Sequence, residues 1–257
     1  MMRRGYFLRP WPQEPDVEWE RFDAVCVPLE CYRDGRDWID ALPAYLEVWV
    51  HLPACYLGRG YTGVPYDGLR DSLRMADASL GFDAELIDMP RDGVLMGQML
   101  AGFVNAYRHP RVTGLFLDCV WDSVAWTGAT IADDEWALGM RLFLTALRFR
   151  LGRAGWRGLR FVGNGWTHCP MLDGLCYEAW PQILGSSTGG NGSWHEAWSG
   201  EYGIERTGFD EYHFIPPSVG HPGEGVTDED AVKVRAFAAL VEAETGADTL
   251  VWMNGGE

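Results

Sequence analysis

The 257-residue chain carries 37 acidic and 21 basic side chains, a formal net charge of -16, with 47% hydrophobic and 23% charged residues. Such a balance is that of a globular protein, and its negative surface repels phosphate backbones and anionic lipid, so nucleic acid and membrane are excluded as expected partners. The length matches one (β/α)₈ barrel, about 250 residues, with no need for a second domain.

The N-terminal stretch MMRRGYFLRPWPQEP has its apolar run cut by Arg9 and Pro10 and does not read as a secretory signal. The expectation is a chain that stays in the cytoplasm where it is made, or leaves on a virion or by lysis. Six cysteines occur without a CxxC pair, which reads as reduced, buried thiols.

Taken in order, Tyr6 to Leu8 reads as a short first strand and Asp23 to Leu29 as a second. Asp34 is placed to cap a helix with Trp38, Leu42 and Tyr45 on one face. Leu46 to Leu52 is the next strand. Leu69, Leu73, Ala76 and Leu80 have helical spacing that stops at Gly81, and Ala84 to Met89 reads as a strand or an extended loop with Asp88 facing the site. Leu95, Met99, Phe103 and Tyr107 predict another helix, ending before Pro110.

Val112 to Trp121, VTGLFLDCVW, is an almost unbroken apolar run that ends on Asp118, as in strands buried on both faces of a parallel sheet. Asp133 and Asp134 then open a long helix with Trp136, Met140, Phe143, Leu147 and Leu151 on one stripe and arginines in its last turns. Leu159 to Val162 leads to Gly163-Asn164-Gly165-Trp166, and Leu172 to Tyr177 leads to Glu178 and Trp180. Residues 185–200, GSSTGGNGSWHEAWSG, read as a long rim loop. Glu211 to Ile215 is a strand, Thr227 caps a helix buried through Val234, Phe237, Ala238 and Val241, and Thr249 to Met253 is the last strand. The alternation predicts an α/β fold, a single-domain (β/α)₈ TIM-type barrel of eight or nine candidate strands.

Chemistry gathers at the C-terminal ends of these strands, where the loops of parallel sheets converge. Asp118 and Glu178 are two carboxylates at that rim, the pair that glycosidic hydrolysis needs: one to protonate the leaving oxygen, one to attack or to activate water. Trp121, Trp126, Trp166, Trp180, Trp194 and Trp198 follow strands, where their flat faces can stack on sugar rings. Asp88, Asp122, Asn164 and Tyr177 complete the candidate substrate contacts. Residues 185–200, with Trp194 and Trp198, have the composition of a closing flap or, equally, of a plain connector whose tryptophans pack back on the barrel. No histidine and cysteine spacing matches a compact zinc site, and no phosphate, nicotinamide or serine-hydrolase motif is present, so no metal or cofactor is expected.

The order Gly114-Leu-Phe-Leu-Asp118, then Asn164-Gly165, then Asp173-Gly174-Leu-Cys-Tyr-Glu178 resembles the barrel glycoside hydrolases of the endo-α-1,4-polygalactosaminidase type and related glycosidases. The resemblance spans Leu46 to Trp180, with Leu86-Ile-Asp88-Met-Pro similar to the stretch before the family's catalytic strand. It implies Asp118 as nucleophile or base, Glu178 as general acid/base, and a carbohydrate substrate, an amino-sugar polymer among the options. Thr113 and Asp122 depart from the family pattern, which bears on the choice of sugar. The alternative is a non-catalytic carbohydrate-binding or structural barrel, phage-associated for instance.

Overall fold

A computed structural model describes residues 2–7, 17–58, 72–79, 84–165, 169–178, 209–215 and 228–253. In chain order the elements are β1 (Arg3–Phe7), β2 (Ala24–Pro28), the short helices α1 (Leu29–Asp34) and α2 (Arg36–Ala41), β3 (Glu47–Pro53), β4 (Tyr56–Gly58), β5 (Met75–Ser79), β6 (Ala84–Ile87), α3 (Met89–Ala106) and β7 (Val112–Asp118). There follow α4 (Asp133–Arg153), β8 (Arg160–Asn164), β9 (Gly174–Glu178), β10 (Glu211–Ile215), α5 (Asp228–Thr245) and β11 (Asp248–Met253). Eight strands close into a barrel in the order β1-β11-β10-β9-β8-β7-β3-β2, all parallel, and β4-β6-β5 form a separate antiparallel sheet. Among the described residues, no helix is long and apolar enough to cross a membrane.

Period-two alternation divides each barrel strand into two cores. In β3, Val48, Val50 and Leu52 join the cluster between sheet and helices, while Trp49 joins the barrel interior with Cys26, Phe116, Val162, Leu250 and Trp252. The interior indoles stand where two strands carry glycine. A Cβ at Gly114 would fall 2.2 Å from the Trp49 ring, and one at Gly5 would fall 2.3 Å from that of Trp252. The N-terminal end is closed by charge. Arg3 of β1, Glu211 of β10, Arg160 of β8 and Glu47 of β3 come from alternate strands, and each arginine bridges both carboxylates. Burial would push the Glu211 carboxyl up, but His213, Arg160 and Arg3 outweigh it and hold it below the ordinary range.

The strand pattern of the sequence holds, with one reassignment: Ala84 to Met89 supplies β6, outside the barrel. The helical spacing from Leu69 to Leu80 is overturned at Met75–Ser79, which is strand β5 against β6, while residues 69–71 and 80 lie outside the described residues. Pairing with a neighbouring strand overrides a local apolar period here. Asp34 ends α1, and Gly35 occupies the N-cap of α2.

Helix α3 is where expected, but its buried face is Met96, Leu100 and Val104 with Gly93 and Gly97, and Leu95 and Tyr107 are exposed. The phase is set by contact with α4, since a Cβ on Gly97 would fall 2.4 Å from the Phe143 carbonyl oxygen and one on Gly93 2.5 Å from that of Gly139. Helix α4 buries Trp136, Met140, Phe143, Leu147 and Leu151, and α5 buries Val234, Phe237, Ala238 and Val241, both as the periodicity predicts.

Candidate active site at the carboxyl end of the barrel

Asp118 is the last residue of β7, level with Pro53 of β3, and its side chain is 16% exposed. Three side chains from different elements converge on its two oxygens. The Tyr56 hydroxyl donates to Oδ2 at 2.8 Å, and the Asn164 amide nitrogen donates to Oδ1 at 3.0 Å. His51 Nε2 lies 3.5 Å from Oδ2. His51 is buried, with Phe7 and Phe116 rings at centroid distances of 5.5 and 5.6 Å.

Burial would push the Asp118 carboxyl up, but His51, Asn164 and Tyr56 together hold it down, at about 2. The group is therefore a carboxylate at any ordinary pH. The same charge, added to burial, pushes the Cys26 and Cys55 thiols well up, so neither is poised as a nucleophile.

The backbone beneath Asp118 is tied on both sides. Its carbonyl accepts from Ala54 N at 2.9 Å, the Asn164 carbonyl accepts from Val120 N at 2.7 Å, and the Cys55 thiol donates to the Cys119 carbonyl at 3.1 Å. Between these ties Cys119 sits at φ 58, a left-handed conformation that side chains other than glycine and asparagine rarely adopt. Strain of this kind persists where the surroundings over-determine it.

Asp118 and Asn164 are brought together in one contact. Glu178 and Tyr177 end β9, two strands from β7, with position 178 in register with Ile215 and two residues beyond Cys176, both of them interior positions. Trp121 follows β7 and rests beside the site: its carbonyl accepts from the Trp136 indole, and a Cβ on Gly165 would meet its ring at 2.5 Å. Asp122 is exposed, and Asp88 occupies the N-cap of α3. Trp166, Trp180, Trp194, Trp198 and the 185–200 loop lie outside the described residues.

Two residues that sequence reasoning missed complete the Asp118 environment, His51 and Tyr56. His51 carried a signal, since in LEVWVHLP it shares parity with the interior Trp49 and stands near a strand's carboxyl end. Tyr56 carried none, because it comes from the β4-β6-β5 insertion. Asp173, which opens the second motif, is structural: its Oδ2 accepts from Arg148 and from Phe161 N at the opposite end of the barrel. Among the described residues, no group of three or more histidine, cysteine or acidic side chains is placed to hold a metal ion.

No protein-family profile and no curated protein sequence matches the chain. Solved structures do. The glycoside hydrolase domain of PelA from Pseudomonas aeruginosa superposes with a TM-score of 0.60 at 14% identity, over 98% of this chain and 94% of that one. A noncanonic maltogenic α-amylase, AmyB from Thermotoga neapolitana, gives 0.56 at 12% identity, over 100% of this chain and 67% of that one. At such identities the likeness shows the architecture alone, and that architecture is a closed parallel (β/α)₈ barrel shared with glycoside hydrolases.

Proposed function

We propose that the protein is a glycoside hydrolase in which Asp118 acts as carboxylate and Glu178 as proton donor. The observation that carries this reading is the Asp118 environment: a half-buried carboxylate at the carboxyl rim, kept ionised by His51, Asn164 and Tyr56. A group held at about 2 carries no proton to donate near neutral pH, so the acid role passes to its partner. Neighbouring strands lie about 4.8 Å apart, so β7 and β9 stand roughly 10 Å apart at the backbone, a span that accommodates two carboxyl groups flanking one glycosidic bond.

In this reading Glu178 protonates the departing oxygen, while Asp118 faces the positive charge that develops at the anomeric carbon and attacks it or draws a proton from water. Trp121, next to Asn164, offers an aromatic face to the sugar, and Tyr177, Trp166, Trp180, Trp194 and Trp198 are assigned to the same cleft. Asp88 and Asp122 are assigned to its polar margin. The motif resemblance favours an amino-sugar polymer, and the net charge of -16 agrees with a substrate that is neutral or cationic.

The test is reducing-end release from a panel of glycans by wild type, Asp118→Asn and Glu178→Gln. Both variants should lose hydrolysis while remaining folded, Asp118→Asn melting several degrees lower because it lacks the stabilising charge, and full activity in either one sinks the assignment. Glycan binding by the wild type without any release of reducing ends would make the protein a binding barrel.

A further inference from the structure

Helix α4 has an uncovered apolar stripe with opposite charges at its two ends. Its first turn carries Asp133, Asp134 and Glu135, and its last turn carries Arg150 and Arg153, all of them exposed. Between these ends Leu138, Leu142 and Phe149 are 56%, 41% and 61% exposed, although the opposite face of the same helix is fully packed. At 3.6 residues per turn these three side chains fall within about 40° of one another, and Asp134 and Arg153 flank the same stripe.

Single exposed apolar side chains are ordinary, but three in line on one helix are a surface that something covers. The surrounding charge narrows what that is. Along α4 the acids Asp133, Asp134 and Glu135 stand at one end and the exposed Arg141, Arg150 and Arg153 toward the other, in a protein whose net charge is -16. Two copies of such a protein repel each other over most of their surface. Across α4 they attract.

We infer that α4 is a two-fold homodimer interface, packing antiparallel against α4 of a second copy. An axis passing between Phe143 and Leu144 sets Leu138 of one copy opposite Phe149 of the other, Leu142 opposite Thr145, and Asp134 opposite Arg153. Each pair occurs twice, so the contact is closed and self-complementary. The two helix dipoles are also opposed, which adds to the pairing of acid and arginine ends. A 21-residue helix is about 31 Å long, and two helix faces alone make an interface at the small end of the specific range, below about 1,200 Å². The dimer is therefore a weak one that fills with concentration.

Sedimentation equilibrium of the full chain, from low to high micromolar protein, tests the inference independently of any activity. Wild type should dimerise, less tightly as salt is raised, and Phe149→Asp should be monomeric. Asp134→Arg and Arg153→Asp should each weaken association about tenfold, and the two together should restore it, because the reversed charges face each other again across the axis. Melting temperatures within a few degrees of wild type establish that every variant is folded. A wild type that stays monomeric, a Phe149→Asp protein that still dimerises, or a double variant as weak as the singles overturns the interface.

Discussion

The three groups around Asp118 do more than position it, because they make its ionisation part of the protein's stability. The folded value of about 2 stands below the ordinary 3.8, so between these values the folded chain binds fewer protons than the unfolded one. This contribution is fully present above pH about 4 and is lost as pH falls through about 2, and a displacement of that size is worth about 2 kcal/mol. Denaturant titrations at pH 5 and pH 2 should show wild type losing about 2 kcal/mol more than Asp118→Asn, in which the group is absent. His51→Gln removes the strongest of the lowering influences and leaves the burial. The Asp118 carboxyl signal in a ¹³C titration should then move to a higher midpoint, and an unmoved midpoint would show that His51 does not hold the charge. At this scale the sequence revealed the acids but not their company. Asp118 and Asn164 stand at strand ends, where position alone marks them. His51 looks like one more residue of a buried strand, and Tyr56 reaches Asp118 from an insertion whose path no period announces.

Strands proved more legible than helices for a physical reason. A strand of this barrel is apolar on both faces, and runs such as VTGLFLD are hard to mistake. A helix shows only the phase of its apolar stripe, and α3 hides its phase by packing through glycines, which count for nothing in a hydrophobic pattern. The apolar residues on its outer side, Leu95 and Tyr107, therefore look like the core stripe. The two kinds of glycine in α3 should respond in opposite ways to the same substitution. Gly97→Ala drives a methyl group into the Phe143 carbonyl and should destabilise the protein by about 1–3 kcal/mol. Gly102 is exposed, with nothing near its missing Cβ, and Gly102→Ala should stabilise by about 0.5–1 kcal/mol through helix propensity alone. Equal shifts in urea midpoint would mean that α3 and α4 are not in close contact.

Across the whole molecule the two ends of the barrel divide their tasks: the carboxyl end holds the candidate site, and the amino end holds the ring of Arg3, Glu211, Arg160 and Glu47. Arg160 touches both acids of that ring and also lies over the Trp49 indole at 4.6 Å. Arg160→Met leaves Glu211, whose side chain is only 4% exposed, short of one of its two arginines, and should cost about 3 kcal/mol. Arg160→Lys should recover little of this, since a single ammonium cannot replace a forked guanidinium bridging two carboxylates. The same ring has a temporal side. Arg3 is synthesised well before Glu211, which lies 208 positions later, and β11, the other neighbour of β1, comes later still. At about 5–20 residues per second, β1 spends roughly 10–50 seconds with one edge unpaired before its last partner exists. Until then that edge is a template for any passing strand, and a nascent chain of this topology is one that a chaperone has reason to hold.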